Sequence, residues 1–153
     1  MSRSRHPSSR QSRKPRHSRA TLLPLPASAT SMCSLKFHAC LTIVRVGFGN
    51  AEHLVELASV MYIAYLLQHK GYGTQPVERF HEAEDAMECV NRRGLETGTW
   101  RLDDAAYPRF AELLTLHDRQ LADAPAHVII TAEDELMRFI GSTTPSPLPP
   151  PPG

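Results

Sequence analysis

The chain has 153 residues, enough for one domain and not two, of which 41% are hydrophobic and 22% charged. The net charge of +1 conceals a division: residues 1–50 hold nine of the 17 Lys and Arg and no acid, about +9, while the rest sets all 16 acids against eight bases, about −8. Three cysteines exclude a disulfide scaffold, and Cys33 and Cys40 match no common metal-ligand spacing, so free thiols in a reducing, cytoplasmic setting are expected.

Residues 1–34 read as a disordered basic tail. Met1 to Arg19 is built from Ser, Arg, His and Pro, which cannot bury enough surface to offset the entropy of ordering. Arg3, Arg5, Arg10, Arg13, Lys14, Arg16 and Arg19 form the candidate nucleic-acid-binding set, acting on phosphates through counterion release without sequence preference. No aromatic residue interleaves them, so base stacking is not expected. An acid-free, Arg- and Ser-rich start also has the composition of an organellar transit peptide, but Pro7, Pro15, Pro24 and Pro26 break the helix such a peptide needs. The apolar stretch near Leu22 to Leu25 is too short for a secretory signal. Initiation at Met32 is a further expectation, since Arg, Ser, Pro and Ala are what GC-rich upstream DNA encodes.

Leu35, Phe37, Ala39, Leu41 and Ile43 alternate with Lys36, His38, Cys40 and Thr42. Period two argues for a half-buried strand near residues 35–46, within a segment 35–49 that is either an edge strand or poorly ordered. It is too short and too polar to span a bilayer.

Residues 50–141 read as the helical domain. Asn50 is a good N-cap with Glu52 in the first turn. Leu54, Leu57, Ala58, Met61, Ala64 and Tyr65 form a stripe that Val60, Ile63 and Leu67 widen. A helix over 51–69 that is apolar nearly all round marks a central core helix or a homo-oligomer interface. Gly71 and Gly73 stop it.

A second helix starts at Thr74-Gln75-Pro76 and ends at Arg92-Arg93-Gly94. Its outer face carries Glu78, His81, Glu82 and Asp85, a solvated acidic face without the second histidine of a metal motif. Trp100, the only tryptophan, falls in the connector 95–102, where a plug over the core is expected. A third helix begins with Pro108 at its first position and runs to about Ala124. His117 falls on its apolar stripe, bonded to a carbonyl at the core edge, and Asp118 points to solvent. Val128, Ile129, Ala132, Leu136 and Ile140 mark a last helix ended by Gly141, with Ala126–Ile130 alternatively extended. Residues 142–153 read as a disordered Pro-rich tail.

The span 91–125 resembles a pattern in small uncharacterised helical proteins of proteobacteria and their phages. The residues that carry it are Arg93, Thr97-Gly98-Thr99-Trp100, Leu113-Leu114 and Leu116-His117-Asp118-Arg119-Gln120-Leu121-Ala122. The resemblance implies a bacterial, phage-related helical protein and carries over no catalytic residue.

The fold class expected is thus mainly α, a bundle of three to four helices with a short strand and disordered tails. No phosphate loop, metal motif or nucleophile elbow appears, so no catalytic residue, cofactor or metal is expected. The function expected is a non-enzymatic protein-interaction or accessory regulatory module. The alternative is a nucleic-acid-associated protein using the basic tail.

Overall fold

The computed structural model describes residues 18–151 and residue 153. Among them the chain forms no strand and five α-helices, more than the three to four expected: α1 (Ala27–Val46), α2 (Ala51–His69), α3 (Val77–Thr97), α4 (Tyr107–Asp123) and α5 (Ala126–Ile140). A single 3-10 turn, Arg19–Leu22, precedes them. It is tied to the start of α5 by Ala126 N–H donating to the Leu23 carbonyl (2.8 Å).

The second helix is the axis of the bundle. Asn50 caps it by accepting from the His53 N–H at 3.0 Å. Leu54, Leu57, Val60, Met61, Ala64, Tyr65 and Leu67 are all buried along it. Its neighbours are α1, α3, α4 and α5, all from the same chain. A helix surrounded by four others has little use for a polar face, which accounts for the nearly all-round apolar sequence. The cover that a second subunit could have supplied is therefore intramolecular for these residues.

The stretch 35–46 is a correction: it is helix, not strand, and belongs to α1. Residues 27–34, expected in the basic tail, form the first turns of the same helix. The physical reason lies in the angular spacing. Two residues along a helix turn it by about 200°, close to the 180° of a strand. A helix apolar on two opposite faces therefore mimics strand alternation. Phe37, Leu41 and Val44 turn towards the core, while Leu35 and Ala39 lie on the opposite, exposed side. Gly47 (φ 90°) then ends α1, with Gly47 N–H donating to the Val44 carbonyl and Phe48 N–H to Ile43. This is a double closure that needs the left-handed conformation open to glycine.

Two boundaries also move. The third helix continues past Gly94 to Thr97, and Gly98 (φ 73°) closes it. Gly94 serves a different purpose: the Trp100 indole lies so close that a Cβ there would fall 2.2 Å from its Cδ2. Trp100 thus packs against the core over a helix interior stripped of its side chain. The fourth helix opens at Tyr107, with Pro108 still in the first turn, where its missing N–H costs nothing. It ends at Asp123 with Ala124 as its C-cap, where the sequence places the end. Residues 126–130 are helical from the start of α5.

Beyond α5 the chain forms a non-helical strap. Leu148, the one apolar non-proline residue of that stretch, is buried in the main core cluster. Proline excludes regular secondary structure here, but the segment still presents the side chain between its prolines.

Candidate functional site: the outer face of the first helix

Six positions of α1 recur at spacings of four and three: Ser28, Met32, Leu35, Ala39, Thr42 and Val46. At about 100° per residue they fall within roughly 40° of one line on the helix surface. All six are exposed; Met32 keeps 74%, Leu35 72% and Val46 58% of its surface open. Phe48, just past the helix end, is 83% exposed. None of the six is charged, only Ser28 and Thr42 carry a polar group, and α1 contains no acid.

The cations of α1 flank this seam and are held by the body of the protein. Lys36 Nζ pairs with Glu56 of α2 at 2.8 Å. The Arg45 guanidinium stands 3.9 Å above the Tyr107 ring of α4. His38 Nε2 meets the Asp118 carboxylate of α4 at 2.9 Å. The charged tips are drawn aside, and the seam is left uncharged and mostly apolar.

The polar residues singled out from sequence take other roles. His117 is buried, its ring edge-on to Phe37 with centroids 5.6 Å apart. Burial holds its pKa down to about 4, only partly opposed by the Gln120 side chain and the Asp118 charge. Its Nδ1 has no hydrogen-bond partner, so the expected bond to a carbonyl is absent at that atom. Asp118 is turned not to open solvent but to His38. A hollow of about 430 Å³ beside this pair is lined by Thr30, Ser31, Ser34, Leu35 and the pair itself. Among the described residues no hydroxyl bonds to the His38 imidazole; the Thr42 hydroxyl donates to the His38 carbonyl (2.9 Å). The His38–Asp118 pair joins α1 to α4.

Sequence patterning gives Gln120 no role. It is buried, and its amide donates to the carbonyls of Ala64 (2.9 Å) and Tyr72 (2.7 Å). It thereby satisfies the end of α2 and the turn beyond it. Polar residues inside an apolar stripe are the only sequence trace of such a clamp.

On α3, Glu82 pairs with Arg79 (3.6 Å) and Arg109 (3.3 Å). Among the described residues no group of three or more His, Cys, Asp or Glu is placed to hold a metal ion. A hollow of about 570 Å³ lies between α2, α3 and the C-terminal strap. At its edge Glu84 accepts from Tyr62 (2.6 Å) and from Ser146. Burial, followed by the hydrogen bond to Glu84, pushes the Tyr62 phenol far above its ordinary pKa.

Of the basic set, Arg3, Arg5, Arg10, Arg13, Lys14 and Arg16 lie outside the described residues. Arg19 opens the 3-10 turn and is exposed. No helix of the described chain is long and apolar enough to cross a membrane. Comparison with protein-family models, with curated proteins and with solved structures finds no match to this chain.

Proposed function

We propose that this chain is a non-enzymatic protein-interaction module, of the accessory or regulatory kind, and that α1 is its binding face. The observation that carries the reading is the uncharged, exposed seam from Ser28 to Val46. A solvated helix face ordinarily bears charged or polar residues, and contiguous exposed apolar surface marks an interaction site. Here the flanking cations are occupied within the chain, so a partner meets the seam without stripping water from a free charge. The other polar features serve packing. His117 fills the core, Gln120 clamps α2, and the His38–Asp118 pair joins two helices.

The test is site-specific photo-cross-linking in cells that make the protein. A photoreactive residue at position 35 is expected to give a discrete adduct, and the same residue at Glu112, exposed on α4, to give none. Met32→Glu should abolish the adduct. Equal labelling at both positions, or none at position 35, overturns the proposal.

A further inference from the structure

We infer that the partner of the α1 seam is the α1 seam of a second copy, packed antiparallel about a twofold axis level with residue 37. The inference rests on reading α1 as the binding face.

The seam is self-complementary in size when reversed. An antiparallel twofold pairs residues whose numbers have a constant sum. With that sum at 74, Leu35 meets Ala39, Met32 meets Thr42, and Ser28 meets Val46 of the other copy. Each layer sets a larger side chain against a smaller one, the arrangement that lets facing helices interdigitate. The two hydroxyls of the seam fall in the outer layers, near solvent, and the central layers are wholly apolar. A parallel pairing would stack Leu35 on Leu35 and Ala39 on Ala39, alternating crowded layers with gaps. The spacing of four and three is that of a coiled-coil seam.

The charges near the axis are already paired within each copy. Lys36 and His38 lie on opposite flanks close to the axis, paired with Glu56 and Asp118. The twofold sets Lys36 beside Lys36 on one flank and His38 beside His38 on the other, and each meets its copy already paired within its own chain. The strip is about 30 Å long and a helix diameter of about 10 Å wide. With Phe48 at its end it offers about 300 Å² per copy, below the roughly 800 Å² per partner of a standard interface and the size of a weak, concentration-dependent dimer.

The experiment is sedimentation velocity on the full chain from low micromolar to near-millimolar concentration, with a pair of size swaps. The mass is expected to move from one copy to two. Leu35→Ala and Ala39→Leu should each weaken the dimer at least tenfold, one by a gap and one by crowding. The double variant should restore it, because the leucine introduced at position 39 then meets the alanine introduced at position 35. Circular dichroism checks that all variants stay folded.

As a measure of direction, a mixture of Leu35→Cys and Ala39→Cys proteins, both in a Cys33→Ser, Cys89→Ser background, should form a mixed disulfide. Rapid self-linking of Leu35→Cys alone, or a double variant no better than the singles, overturns the inference. A chain that stays monomeric at near-millimolar concentration also overturns it. In that case a position-35 adduct of unequal mass would leave the binding face standing with a different partner.

Discussion

Asp118 pairs with His38 of α1, at 2.9 Å, and not with the adjacent His117, which is turned into the core behind it. Neighbours in a helix point about 100° apart, so the dipeptide His-Asp divides between two environments. The His38–Asp118 pair is half-open to solvent, and such pairs are worth at most about 1 kcal/mol. Asp118→Asn is therefore expected to change urea-unfolding stability by less than ~1 kcal/mol. A double-mutant cycle with His38→Ala should return a coupling of the same small size. A coupling of several kcal/mol would mean that the α1–α4 junction depends on this contact.

His117 makes stability depend on pH. Its folded pKa is lowered to about 4 from an ordinary value of 6.5. Between those values the unfolded chain binds the proton and the folded chain does not. Stability is then full above pH 6.5 and falls progressively as pH drops to about 4, by roughly 3 kcal/mol. His117→Phe should flatten that part of the profile. His117→Ala should lower stability at neutral pH by opening a cavity beside Phe37. The check is urea denaturation at several pH values; an unchanged slope in His117→Phe would assign the dependence to other groups.

Gln120→Leu is expected to destabilise the fold by about 2–4 kcal/mol, because the carbonyls of Ala64 in α2 and of Tyr72 in the turn beyond it lose the amide donor. Hydrogen exchange should report the change locally, in the turn around Tyr72. A neutral result would show that water replaces the amide.

Gly94→Ala should cost about 1–3 kcal/mol through overpacking against the Trp100 ring. With Trp100→Ala also present, the added cost of the alanine should vanish, because the atoms it meets are gone. Tryptophan fluorescence of the single variant should move towards that of an exposed indole. An additive pair of effects would place the strain elsewhere.

Removal of residues 142–153 is expected to uncover the site of Leu148 and raise binding of an apolar dye. Leu148→Glu should do the same at full length. Ser146→Ala loses the hydrogen bond to Glu84 and should show a smaller effect. Unchanged dye binding in all three would mean that the strap contributes no cover.

Much of the bundle is readable along the chain. Asn50, the Pro76 and Pro108 starts, and the stripes of α2, α4 and α5 are local signals, decided by capping chemistry and a period near 3.6. Trp100 is identifiable as a core plug by its isolation, but the notch that receives it has the signature of a helix end. A glycine looks the same whether it is needed for a left-handed turn or for a close approach, and Gly94 is the second kind. The first helix imitates a strand because both of its faces are apolar. The same property makes it the candidate binding surface, so the misleading pattern and the site share one cause.

Short-range patterning is enough to make the body helical, to start most of its helices and to mark α2 as either a central helix or a subunit interface. Those are properties of residues within a few positions of each other. The folded packing adds that α2 is covered by its own chain and that Gln120 holds the end of α2. It also directs Asp118 to His38 and leaves the uncovered apolar face on α1. These outcomes depend on which face of one helix meets which face of another, and pairwise packing across tens of residues leaves no periodic mark in a single chain.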